Sequence, residues 1–412
     1  MMRWAVFAAT ALALSSAPVA HAQSDLFSPN TFSAVVDARV VAADGEASWI
    51  DGGFGKARWG DESGLRLAEV GVAWRPRLSD AVSATVTLDY QDGADPQVDV
   101  GEAYLTARGV VGGWRLSGKA GLYWPQVSLE HDGVFWSVPD TITPSAINSW
   151  MGEEGKVVGA ETTVRGDVGG ASVAATVGVF GGADTAGTLL AFRGWALHDL
   201  KNSAESRMPL PPLSPYMASR QAQATTSITE LDDRTGVYGR LEWSPTDRLT
   251  LDLFGWDNRA SPTAMNLRLD WGWETHFVNL GATWRPDDRT RVRAQILSGE
   301  TAMGYPDRTD GAIWVDVGFS AAYLSVSREL GPGVLTGRVD LFDTDDRTHV
   351  VADNNDEEGH ALTGAYRWDL SPGTALVFEA LRIESDRPSR AQAGETPDQV
   401  QTVVQTALRF EL

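Results

Sequence analysis

ATWRPDDRTRV, residues 282–292, stops an apolar run on Trp284, turns through Pro286 and a short charged run, and returns to alternating residues. The same arrangement recurs in VAWRPRLSDAV (72–82), in LEWSPTDRLTL (241–251) and, with two more residues between Trp and Pro, in YRWDLSPGTAL (366–376). The segments beside these turns alternate. AVSATVTLDY (81–90) sets Val82, Ala84, Val86, Leu88 and Tyr90 on one face and Ser83, Thr85, Thr87 and Asp89 on the other. That is the period-two pattern of a half-apolar strand. VYGRLEW (237–243), RLTLDLFGW (248–256), GVLTGRVDLF (333–342) and HALTGAYRW (360–368) repeat it, with Arg338, Asp340 and Arg367 on polar faces.

Read along the chain, this pattern predicts sixteen strands, near 31–43, 64–75, 81–91, 98–108, 114–124, 156–166, 171–181, 235–244, 248–257, 273–285, 289–299, 313–327, 333–343, 360–370, 374–385 and 399–411. The connections alternate too. RPRLSD, GVVGG, DVGG, SPTDR, RPDDR, LGPG and LSPG are tight turns, whereas the intervening links run from about ten to about fifty residues. Tight turns on one rim and long loops on the other are what a transmembrane antiparallel up-and-down β-barrel produces, with periplasmic turns and extracellular loops. Trp74, Trp243, Trp284 and Trp368 then all fall at the turn end, on the apolar face. An indole there lies at the lipid headgroup level, and proline ends the strand where no ladder donor is needed.

Composition agrees. The chain opens MMRWAVFAATALALSSAPVAHAQ: an early Arg3, an apolar run from Ala5 to Leu14, and small residues ending at Ala22, the three regions of a secretory signal peptide. Residues 1–22 are therefore expected to be cleaved, leaving 23–412 as one exported barrel domain. There is no cysteine, so no disulfide staples the fold. After the leader no apolar run of ~18 residues remains, which excludes a helical span. With 55 Asp+Glu against 34 Lys+Arg, the chain would repel phosphates, and nucleic acid is excluded as a partner.

The last residues, QTALRFEL, place Leu408, Phe410 and Leu412 on one face. They resemble the C-terminal signal by which outer-membrane barrels reach their assembly machinery, with Ala407 where glycine is usual and Leu412 where an aromatic is usual. Together with the leader, the sixteen strands and the turn-side tryptophans, the mature chain resembles the Gram-negative porin superfamily. The resemblance implies a sixteen-stranded barrel in outer-membrane lipid, often a homotrimer, whose third external loop folds inward and narrows a pore for small hydrophilic solutes. The corresponding connection, 125–155, is long here and lacks the Pro-Glu-Phe-Gly-Gly motif of the general porins.

A barrel of ~16 strands encloses an aqueous channel, so function is expected in its lining. Alternation points Arg115, Lys119, Arg165, Arg240, Arg291, Arg293, Arg338 and Arg367 inward, among carboxylates of mixed position. The acids Glu130, Asp132, Asp140, Glu153 and Glu154 of the long connection are expected to face a basic wall formed by Arg115, Lys119 and neighbouring arginines. Tyr123, Trp124, Phe135, Trp136 and Trp150 could offer stacking faces to a sugar. LPPLSPYM (210–217) is expected to be a stiff external segment. DTDDR (343–347) and DNNDEEG (353–359) lack calcium-loop spacing and are taken as solvated acidic loops. No nucleophile motif accompanies His131, His198, His276, His349 or His360, so no enzyme, metal or cofactor is expected. The alternatives to a channel are a structural or adhesive barrel, which would show a closed, charge-paired lumen, and, behind it, an outer-membrane barrel enzyme.

Overall fold

The computed structural model describes residues 26–308, 311–348 and 352–412; the expected leader, residues 1–22, and His349 lie outside the described residues. The barrel strands are β1 (Phe32–Asp44), β2 (Gly64–Trp74), β3 (Val82–Gln91), β4 (Val98–Val111), β5 (Trp114–Tyr123), β6 (Val157–Val168) and β7 (Ala171–Gly181). They continue as β10 (Gly236–Thr246), β11 (Leu249–Asp257), β12 (Glu274–Asp287), β13 (Thr290–Met303), β14 (Val315–Leu330), β15 (Gly333–Asp346), β16 (Glu357–Ser371), β17 (Thr374–Asp386) and β18 (Asp398–Glu411). Between β7 and β10, β8 (Arg207–Pro209) and β9 (Ala224–Thr226) form a separate ribbon. The sixteen barrel strands are those expected from alternation, with ends that differ by a few residues.

Neighbours pair antiparallel all the way round, and β1 closes on β18 from Val35 opposite Glu411 to Asp44 opposite Thr402. Closure leaves no sheet edge, which is the condition for a β structure to cross hydrocarbon. Outward side chains such as Leu241, Leu253, Val278, Leu280, Ile296, Leu324, Val339, Leu362 and Val404 are exposed. A continuous apolar surface of this kind is stable against lipid and not against water.

The turns explain the opening motif. Register breaks between Trp243 and Thr246 and between Trp284 and Asp287, so Pro245 and Pro286 sit inside bulges where the ladder needs no N–H. Gly112 and Gly113 (φ 57° and 86°) and Gly169 and Gly170 (φ 60° and 86°) make two-residue turns that require positive φ at both positions. Trp243, Trp284 and Trp368 stand outward and exposed at this rim. Trp74 differs: its ring stacks on Phe27 at 5.3 Å and its Nε1 donates to the Leu26 carbonyl at 2.7 Å.

Two connections at the opposite rim pack against inward faces of the wall. Residues 124–156 carry helix α1 (Ala146–Glu154), and the first part of the β7–β10 connection carries α2 (Thr188–Phe192). Residues 141–157 and 182–198 are buried without interruption. Neither helix was expected. α1 begins where Ser145 caps it, its side chain accepting from the Asn148 N–H, with Pro144 just outside.

Candidate functional site: the charged lumen and its two inward segments

The first segment is held by inward wall side chains, among them Arg291, Arg293 and Arg338, which alternation had placed there. On β15, Arg338 donates through Nε to Asp340 at 2.7 Å and through its terminal nitrogens to the Thr143 and Pro144 carbonyls, both at 2.8 Å. Its Nη1 also lies 3.3 Å from Glu130. Asp340 in turn accepts the Ala146 N–H at 3.0 Å, at the first turn of α1. On β17, Glu379 accepts the Ile142 and Thr143 N–H groups at 2.6 and 3.0 Å. On β18, Arg409 donates to the Val138 and Thr141 carbonyls at 2.9 and 3.0 Å. Asp140 pairs with Arg291, and Asp132 with Arg293, both on β13. Buried charges of this kind persist only where they are paired and hydrogen-bonded.

The expected acidic loop opposite a basic wall therefore takes a different form. Glu130, Asp132 and Asp140 meet Arg338, Arg293 and Arg291, on β13 and β15. Arg115 and Lys119, on β5, are not their partners. Lys119 lies 3.2 Å from Glu161, and Arg115 stands directly opposite Arg165 across the β5–β6 pair. Arg165 binds Glu242 at 2.6 Å; Arg240 is 3.0 Å from Glu242 and also pairs with Asp252. Arg367 pairs with Asp369 at 2.7 Å near the turn rim. The reason is geometric: the segment leaves β5 and crosses the lumen, so its carboxylates meet the far wall.

Glu153 and Glu154 contact no wall arginine. They face the second segment, which sequence reasoning missed as an inward element. Glu153 binds Arg193, with Nη2 at 2.7 Å, and lies 2.9 Å from His198 Nε2. Glu154 accepts from Trp150 Nε1 at 2.7 Å and from the Gly187 and Leu189 N–H groups at 3.0 and 3.2 Å. The second segment also reaches the wall: Asp199 binds Arg39 of β1 at 2.6 Å, and Lys201 binds Glu69 of β2 at 2.7 Å. A signal for it was present. Leu189, Leu190, Phe192, Trp195, Leu197 and Leu200 make this stretch too apolar for a solvated loop, and all six are buried.

Aromatic residues of the first segment pack rather than present faces. Trp150 lies edge-on to Trp195, Phe277 and Phe319 at 5.2–6.0 Å. His131, Trp136 and Trp124 stack in series at 3.6 and 4.8 Å, with Lys156 Nζ 3.6 Å above Trp124. Tyr123, Trp124, Phe135 and Trp150 are buried, so the sugar-stacking expectation has no free ring among them. Phe135 and Trp136 take positive φ (55° and 54°), a strained conformation for bulky residues that the stack and the Lys201 bond to the Phe135 carbonyl (2.8 Å) hold in place. LPPLSPYM is likewise partly packed: Leu210 and Met217 are buried with Trp271 and Trp273. The acidic stretches are not the solvated loops expected: residues 343–346 belong to β15, Asp346 accepts the Thr348 N–H at 2.6 Å, and Asp353 and Glu357 are buried, Glu357 against Lys56 and Arg387, because the second segment and neighbouring loops pack over them.

The sequence matches no family model and no curated protein. Solved structures do match. An anion-selective porin from Comamonas acidovorans superposes with a TM-score of 0.54 at 13% identity, covering 93% of this chain and 99% of that one. The outer membrane channel DcaP of Acinetobacter baumannii gives 0.52 at 12% identity, covering 92% and 96%. A loop-deletion mutant of OmpT, an outer membrane protein of Vibrio cholerae, gives 0.50 at 8% identity, covering 93% and 99%. At these identities the likeness is one of fold, and with the closed sixteen-stranded wall and its apolar outer belt it is the fold of the Gram-negative outer-membrane porins.

Proposed function

We propose that the chain is an outer-membrane channel of the porin type for small hydrophilic solutes, with residues 125–155 as its constriction and the second inward segment closing against it. What carries this reading is the wall itself: charged side chains converge from β1, β2, β13, β15, β17 and β18 on two loop segments, an arrangement that a barrel held together by its outer belt alone does not need. The solved barrels of this fold include an anion-selective porin and an outer membrane channel. A homotrimer, outer-membrane lipid and an assembly machinery that receives β18 are the partners this reading brings with it.

The burial of both segments favours a second reading, a barrel that conducts nothing and serves a structural or adhesive role. Single-channel recording in planar bilayers separates the two. Under the channel reading, the chain lacking residues 127–152 conducts in larger steps than the full chain, and neutralising Glu130, Asp132, Glu153 and Glu154 together shifts the reversal potential toward anions. Current indistinguishable from an empty bilayer in both forms would instead establish the structural reading.

A further inference from the structure

α1 ends on two carboxylates, Glu153 and Glu154, with no basic residue in its last turn. A helix C-terminus carries partial negative charge, so both are placed where the helix disfavours them. A local rule broken inside a packed element points to a demand from elsewhere. Here the demand comes from the second segment. Glu153, fully buried, takes the Arg193 guanidinium and the His198 ring, while Arg193 is backed by Trp49 at 4.7 Å. Glu154, also buried, meets no cation among the described residues and accepts three N–H groups, two of them from Gly187 and Leu189 at the start of α2. Backbone contacts run beside them: the Asn202 N–H donates to the Gly152 carbonyl at 2.9 Å, and the His198 N–H to Ser149 Oγ at 3.1 Å.

Building on the channel reading above, we propose that the two inward segments form a bolt fastened at Glu153 and Glu154, that the channel opens when the segments part there, and that protonation of Glu154 favours the fastened state. The two fasteners differ in chemistry. Burial would raise the Glu153 carboxyl, but Arg193 and then His198 outweigh it and hold it at about 2. Burial raises Glu154 to about 7, with Glu153 adding to the rise and the N–H donors offsetting part of it. The charged groups around Glu154 are thus Glu153 on its own helix and, beyond it, Arg193 and His198. The wall beside Gly187 offers the hydroxyls of Thr275 and Thr301.

The sign follows directly. Released into water, the Glu154 carboxyl returns to its ordinary value near 4.5, below its fastened value of about 7. The fastened state therefore binds the proton more tightly. Its advantage is complete below pH 4.5 and is lost as pH rises through 7, a change of roughly two to three orders of magnitude in the closing equilibrium.

Open probability measured in planar bilayers from pH 5 to pH 8 tests this. The full chain should open more as pH rises; Glu154→Gln should abolish that dependence and stay closed, and Arg193→Gln should open at every pH. An unchanged pH profile in Glu154→Gln would overturn the proposal. Should Arg193→Gln fail to fold, the bolt is tested by Gly152→Cys with Asn202→Cys, in a chain that has no other cysteine. The side chain of Asn202 has no hydrogen-bond partner among the described residues, so little is lost there. Oxidation should lock this variant closed at pH 8 and reductant should restore opening; opening of the oxidised form would refute opening by parting of the segments. A chain lacking both 127–152 and 186–206 distinguishes the failures: if it does not conduct, the channel reading is wrong, whereas if it conducts and Glu154→Gln keeps the wild-type profile, only the bolt is wrong.

Discussion

The two faces of each barrel strand reverse the rule of a soluble protein. On β12 the outward Leu280 is 54% exposed, while on β15 the inward Arg338 is 2% exposed. The outer face is solved locally, because every second residue meets the same hydrocarbon and needs only to be apolar. Under the two segments the inner face is solved at long range, as Asp340 finds Ala146 and Glu379 finds Ile142, 194 and 237 residues away in sequence. A substitution outside is therefore graded by depth in the membrane, and one inside by what it leaves unpaired.

The largest effect is expected inside. Arg338→Leu leaves Asp340 and Glu130 buried without their cation, and loss of one member of a buried pair costs about 3–5 kcal/mol. Urea unfolding in lipid vesicles reads it, and a loss below 1 kcal/mol would mean that these carboxylates are solvated or protonated. Next comes Leu280→Arg on the outer belt, about 2–4 kcal/mol if Leu280 lies near the bilayer midplane. The same titration would place it at an interface if the cost fell below 1 kcal/mol. The smallest is Trp284→Asp at the turn rim, where a charge costs from near zero to about 1 kcal/mol. Changing Trp74, Trp243, Trp284 and Trp368 together should slow folding into bilayers measurably, and unaltered refolding would remove them from the lipid interface. Trp74 should contribute least, since Phe27 and Leu26 already hold it.

The same contrast explains what could be read in advance. Sixteen strands, their inward and outward residues and the tight turns followed from period two and from Pro and Gly, since these are properties of neighbouring residues. The direction of Arg291, Arg293 and Arg338 was legible for that reason. Their partners were not, because alternation assigns a face without saying which loop crosses to it; hence Arg115 and Lys119 were expected opposite acids that meet β13 and β15. The second inward segment was hidden by its position in a connection of about fifty residues, although the apolar run at 189–200 carried the mark of burial, just as Ser145 in the first segment carried that of a helix cap.

The central claim is that wall positions under the two segments are dry while inward positions away from them are wet. Single cysteines in this cysteine-free chain, labelled by a small membrane-impermeant thiol reagent in lipid vesicles permeable to it, test that directly. Lys119→Cys, at a position whose side chain is 22% exposed, should react at about the rate of a free thiol; Thr363→Cys, at a position 4% exposed beside Arg338, should react at least tenfold more slowly and speed up when residues 127–152 are removed. Equal rates at the two positions in the full chain would contradict the account.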